Sequence, residues 1–218
     1  MKDIKAIKGT FYIQRLIEEG EHEHQDFKFS ISDARKIARS VSAFANNDGG
    51  RLLVGVKDNG NIAGVRNEED IYVIEQAAQM YCRPPQKVEF TAFKTEGGAI
   101  VIRAEIERAT KRPVQAKEAD GSWRTYYRVK DENIVAPDLM VRAWRRKESD
   151  SGSLISFSEA ESALINHLEA NGTITIEEFM KLARISRHTA EDIITKLYAM
   201  EVIDFTYTGN EFKIIHNA

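Results

Sequence analysis

The stretch EHEHQDFKFSISDARKIARSVSAFANNDGGRLLVGVKDNGNIAG, residues 21–64, decides how the rest of the chain is read. It opens with a period of two, in which His24, Asp26 and Lys28 alternate with Phe27 and Phe29. That pattern predicts a short strand with the three polar residues on one face and the two phenylalanines on the core side. Ile31, Ala34, Ile37, Ala38, Val41 and Ala45 then recur at helical spacing, with Ser30 or Ser32 as the expected N-cap. The helix should close at Asn46-Asn47-Asp48-Gly49-Gly50, because glycine and asparagine accept the left-handed backbone that ends a helix. Arg51 to Val56 reads as an apolar strand, Asp58-Asn59-Gly60 as a hairpin turn, and Ile62 to Val65 as the return strand.

Upstream, Phe11 to Glu19 carries Ile13, Leu16 and Ile17 on one helical face, and Gly20 ends it. Downstream, Glu68 to Tyr81 reads as a helix stopped by Pro84-Pro85. Val88 to Phe93 and Ala99 to Ile106 read as paired strands, Pro113 to Ala116 as a short strand, and Ser122 to Val129 as another. Pro137 to Lys147 reads as a helix. Lys147 to Ser153 is the sharpest change of composition and reads as a linker. Beyond it come helices over Ser158–Ala170, Ile176–Ala183 and Ser186–Met200, then a hairpin over Val202–Thr208 and Glu211–His216. Ser158 and Glu161 fit a capping box.

The whole chain has 218 residues and a net charge of −3, so no global basic signature marks it for nucleic acid. With 42% hydrophobic residues it can bury a core. No apolar run is long enough to span a membrane, and the charged N-terminus has no signal-peptide core. A lone cysteine, Cys82, allows no internal disulfide and reads as packing rather than as a nucleophile. A cytoplasmic location is expected by default.

Glu21-x4-Asp26-Phe27-Lys28, Val41-Ser42-Ala43-Phe44-Ala45-Asn46, Gly49-Gly50, Leu53-x-Gly55-Val56-x-Asp58, Gly60-x-Ile62-x-Gly64 and Tyr126-Tyr127-Arg128-Val129 occur in this order. Together they make residues 10–145 resemble the Schlafen-type AlbA domain (AlbA_2). The resemblance implies nucleic-acid binding, and in some members metal-dependent RNA cleavage by an acidic triad. The triad would fall on Glu21, Asp26 and Asp58, with Lys28 alongside, and would take Mg²⁺ or Mn²⁺ on hard oxygen ligands. Here Asp26 stands where nucleolytic members carry glutamate, one methylene longer. The plainer alternative is a turn aspartate at Asp58, a solvated Glu21 and an Asp26 paired with a neighbouring cation. Lys28 could hold a phosphate, orient Asp26, or be a surface ion-pair partner. Some relatives are described as ATP-binding, but no G-x-x-x-x-G-K-[ST] occurs, and the Asn46–Gly50 turn is either a phosphate nest or a helix end. His22 and His24 lack a second ligand pair for zinc.

Arg108, Lys111, Arg112, Lys117, Arg124, Tyr126, Arg128 and Lys130 form the nucleic-acid candidate, cations for phosphates and an aromatic for bases. Strand parity puts Arg124, Tyr126 and Arg128 on one face, expected outward, and Trp123, Tyr127 and Val129 on the other. Residues 154–218 resemble a winged helix-turn-helix in layout, and Arg184, Arg187 and His188 cluster where its third helix begins. Five Lys or Arg against ten Asp or Glu give this tail −5, which leaves +2 for the remainder of a chain at −3. Glu191 and Asp192 oppose those cations, so the tail is either a weak DNA reader or a dimerisation module.

The expected fold is α+β: an AlbA-type domain over 1–147, a linker over 148–153 and a winged-helix-like domain over 154–218. The expected function is DNA or RNA binding, as a DNA-binding transcriptional regulator. A metal-dependent endoribonuclease and a protein-interaction module, with a homodimer as its product, are the alternatives.

Overall fold

A computed structural model describes residues 4–65, 69–149 and 158–217. It divides into two compact units, Met1–Val135 and Ala136–Ala218. In chain order the first unit runs β1 (Ile7–Lys8), α1 (Thr10–Glu19), β2 (Gln25–Lys28), α2 (Ala34–Asn46), β3 (Gly50–Val54), α3 (Glu69–Met80), β4 (Cys82–Arg83), β5 (Val88–Lys94), β6 (Ile100–Ile106), β7 (Gln115–Lys117), β8 (Trp123–Val129) and β9 (Glu132–Val135). One sheet has the order β1-β5-β6-β3-β2 and a second the order β4-β7-β8-β9. β2 lies parallel to β3, with Asp26 opposite Leu52.

The five-stranded sheet is covered on both faces. Leu53, Val101 and Phe93 meet Ile13 and Leu16 of α1. Leu52, Val54, Ile102, Ala104 and Ile106 meet α2 and α3. The second sheet then closes over the opposite side of α2, bringing Val114, Ala116 and Tyr126 into the same core. From Ser40 to Asn46 every residue of α2 is buried, so the amphipathic helix of the sequence reading is a core helix over its second half. Small residues at Ser42, Ala43 and Ala45 let two sheets approach one helix.

Polar groups hold this sandwich in register. Asn46 Nδ2 donates to the carbonyls of Val114 and Tyr126, both at 2.8 Å, and Asn46 Oδ1 accepts the Val114 amide at 2.8 Å. Asn47 brackets Arg128 in the same way, accepting its amide at 2.9 Å and donating to its carbonyl at 2.8 Å. Ser42 Oγ donates to Val114 O and accepts the Tyr126 amide. Three side chains of a helix thus act as a strand for β7 and β8.

Several local expectations change. Asp33 caps α2 in place of Ser30 or Ser32, taking the amides of Arg35 and Lys36. Phe29 is 42% exposed, because β2 ends at Lys28 and the alternation stops with it. The return strand over Ile62–Val65 is only a single bridge, Val56 to Ile62. Beyond it the chain turns across Gly55, whose left-handed φ of +93° and close approach to Gly64 leave no room for a Cβ. β9 and the short β1 and β4 carry no alternation long enough to read.

The second unit runs α4 (Asp138–Ser149), α5 (Glu159–Asn171), β10 (Thr173–Ile174), α6 (Ile176–Ala183), α7 (Arg187–Ala199), β11 (Ile203–Thr208) and β12 (Glu211–His216), with sheet order β10-β12-β11. Capping boxes start α5 at Ser158 and α6 at Thr175, and Ser186 caps α7. The division falls before α4, which the sequence reading put with the first domain, and α4 packs along α7. Of the expected linker, positions 150–153 lie outside the described residues. Leu182, an apolar residue of α6, is 46% exposed.

Replacing Asn46 by Ala strips partners from two carbonyls and one amide in a fully buried place. The expected loss is on the order of 3 kcal/mol or more, read as a lowered urea midpoint at unchanged m-value.

Candidate functional site

The signature at residues 21–28 builds the outer edge of the five-stranded sheet. Glu21 follows the Gly20 cap of α1 and turns back, so that its Oε1 accepts the Phe27 amide at 2.8 Å. Asp26 is only 5% exposed rather than on a solvated face. Its Oδ2 sits 2.7 Å from Lys28 Nζ and its Oδ1 3.4 Å from Arg128 Nη2. Lys28 Nζ also donates to Phe27 O at 2.8 Å. Arg128, 1% exposed, donates to Gln25 O at 3.2 Å and to Asn133 Oδ1 at 3.0 Å and lies 5.1 Å over the Phe44 ring. The outward backbone groups of β2 are thereby satisfied by side chains, which closes an edge that would otherwise recruit another strand.

Glu21 and Asp26 meet, but Asp58 stays exposed in its turn. Among the described residues no group of three or more His, Cys, Asp or Glu could hold a metal ion. The donor set does not fit Mg²⁺ or Mn²⁺: both Asp26 oxygens face internal cations and a Glu21 oxygen holds a backbone amide. Burial, then the Asp26 carboxyl beside it, pushes Glu21 above the ordinary carboxylate range. The Asn46–Gly50 turn offers no open nest, since the Asn47 and Gly49 amides bond back to Ala43 and Phe44 carbonyls. Burial drives the Cys82 thiol up to about 12, as inert packing requires.

The parity expected for β8 is inverted at two positions. Tyr126 and Arg128 point inward, Tyr126 Oη donating to Glu118 Oε1 at 2.6 Å, because Asn46 and Asn47 set which face of β8 meets α2. Arg124, nearer the end of the strand, stays exposed. The other candidates scatter. Arg108 pairs with Asp48 at 2.7 Å, Arg112 donates to Asn46 O at 3.0 Å, and Lys111 and Lys130 are exposed. Lys117 lies 5.9 Å over the Trp123 ring.

Two arginines that the sequence reading passed over complete a surface beside Arg124. Arg35 and Arg39 are one turn apart on α2, 5.3 Å over Tyr81 and 5.7 Å over Tyr126 respectively. Arg39 forms a two-point ion pair with Glu118. Burial works to raise the Glu118 carboxyl, but the hydrogen bonds from Arg39 and Tyr126 outweigh it, with Arg124 adding to them, and hold it low. Their signal is a pair of cations four apart on a helix whose other residues, Lys36 and Asn46 aside, are small or apolar.

In the second unit Arg184 takes a left-handed φ of 53° and ends α6. Arg187, at the start of α7, pairs with Glu177 at 3.0 Å and Glu191 at 3.2 Å, and His188 is exposed beside it. The acids that opposed this cluster are taken up by α4: Arg142 reaches Glu191 at 2.7 Å and Arg146 reaches Asp192 at 2.6 Å.

Arg128→Met is expected to strand Asp26 in the interior with half its countercharge, at a cost of about 3–5 kcal/mol in chemical denaturation. Glu21→Gln keeps an acceptor for Phe27 and removes the charge. A carboxyl held high in the fold contributes stability that is full below its unfolded pKa and lost as pH rises through the raised one. The variant should therefore be the more stable protein at neutral pH, with its advantage vanishing below the ordinary carboxylate range in melts run against pH.

No curated protein matches the chain. Among solved structures it is similar to the DIP2311 protein from Corynebacterium diphtheriae, at 20% identity and a TM-score of 0.44, over 87% of this chain and 34% of that one. The chain thus spans about a third of that protein's length. Among the described residues no helix is long and apolar enough to cross a membrane. The family model described as Schlafen, AlbA_2 matches residues 21–137, just over half of the chain and nearly all of the two-sheet unit, so the protein belongs to the Schlafen AlbA_2 family.

Proposed function

We propose that the protein is a DNA-binding transcriptional regulator, gripping phosphates with its first unit and reading a duplex with its second. The family is associated with nucleic-acid binding. The observation that carries the reading is the convergence of Arg39 from α2 and Arg124 from β8 on one carboxylate, Glu118, with Arg35 one turn before Arg39 on the same helix. Such a group binds phosphate by exchange: a phosphate oxygen takes guanidinium donors that face Glu118 or solvent and releases condensed counterions. Lys117 extends the surface along β7.

For the second unit we read a winged helix. Its order α5-β10-α6-α7-β11-β12, with β10 pairing to the far strand of the hairpin, matches that layout. α7 would be the reading helix, with Arg187 and His188 in its first turn and Arg184 just before it. Metal-dependent RNA cleavage gains no support from a donor set already neutralised by Lys28 and Arg128.

The test is salt dependence. For the wild type, the logarithm of the affinity for duplex DNA should fall linearly with the logarithm of salt concentration. Arg35→Ala with Arg124→Ala should flatten that slope by about 0.9 for each phosphate that is no longer neutralised. An unchanged slope in the double variant would take this surface out of the interface.

A further inference from the structure

α4 packs along a flank of α7 that the helix does not use for its own core. The core stripe of α7 is Ala190, Ile193, Ile194 and Leu197. About a third of a turn round the wheel lie Glu191, Asp192, Thr195 and Tyr198, and α4 engages this row. Arg142 holds Glu191 and Arg146 holds Asp192, while Arg146 Nη1 also reaches Thr195 Oγ1 at 3.1 Å. Lys147 lies 6.0 Å over Tyr198 and pairs with Glu201 at 2.5 Å, just past the helix. Met140, Ala143 and Trp144 give α4 a buried apolar stripe.

Thr195 shows what this packing does. A threonine two turns into a reading helix, away from the core stripe, would face a groove, yet it is only 6% exposed. Docked, α4 leaves the first turn of α7 open and covers the next two. A helix can enter a major groove only where its outward face is free.

We propose that α4 is an autoinhibitory latch on α7, held by the Arg142–Glu191 and Arg146–Asp192 pairs, and that it must lift for the second unit to read duplex DNA. This rests on the winged-helix reading. Binding then requires the lifted state, and the apparent affinity is lowered by the fraction of molecules that are latched. Each pair has one exposed partner and contributes modestly, so weakening both shifts the balance without unfolding the unit.

The experiment measures duplex binding by the full chain carrying Arg142→Ala and Arg146→Ala. The latch predicts binding tighter by about five- to tenfold, although two positive charges have been removed. Glu191→Gln with Asp192→Asn breaks the same pairs from the other side, and serves if the first variant folds poorly. Trp144 supplies a second readout: in a Trp123→Phe background, its emission should shift to the red as DNA lifts α4 and exposes it. Arg187→Ala with His188→Ala is the control for the reading itself. If that control weakens binding while the Arg142/Arg146 variant binds equally or less tightly, the winged-helix reading stands and the latch is overturned. If it weakens binding in neither background, α7 does not read DNA and the latch falls with it.

Discussion

The first unit depends on a helix that has no solvent side over its second half. A helix packed between two sheets must offer something to the second sheet that hydrophobic packing cannot, because β7 has only three residues and β7 and β8 lie directly against α2. Asn46, Asn47 and Ser42 supply it as hydrogen bonds to strand backbone. These bonds are directional, so they fix the register of β8 against α2 as well as its distance. Hydrophobic burial alone would tolerate a slip of one residue, which would turn Arg128 out and Tyr127 in.

Arg128 inherits its place from that register. It crosses from the second sheet to the edge of the first and meets Asp26, so the signature residues of the family's N-terminal motif and its Tyr-Tyr-Arg-Val motif, about a hundred positions apart in sequence, form one buried ion cluster. The cluster is nearly balanced, two carboxyls against Lys28 and Arg128. A balanced buried cluster favours one arrangement over its alternatives more than it adds stability.

Much of this architecture was legible. The helix over residues 34–46, the paired strands Val88–Lys94 and Ile100–Ile106, and the three tail helices with their hairpin all follow from period and punctuation. The faces of β8 were not legible, because alternation identifies two faces without saying which is inward, and a buried arginine runs against the ordinary preference of that residue. Asp33 was passed over as a cap because Ser30 and Ser32 are equally good residues for the place. Composition changes only after α4, whereas the helix packs along α7, some fifty positions on, through ion pairs that no local pattern announces. The phosphate-binding candidates fared unevenly for the same reason. Arg108 and Arg112, close in sequence, are each taken up by the distant Asn46–Asp48 turn, whereas Arg124 is brought towards Arg39 by the fold.

The engagement of Arg39 with Glu118 bears on how a nucleic acid would first be met. A positive patch whose central member is already neutralised, on a chain of net charge −3, projects little field beyond a few ångströms. Encounters with a polyanion would be unguided, at the rates of ordinary protein association rather than the faster ones of steered pairs. Selectivity would then rest on dwell time, and stray polymer would be released before it could compete.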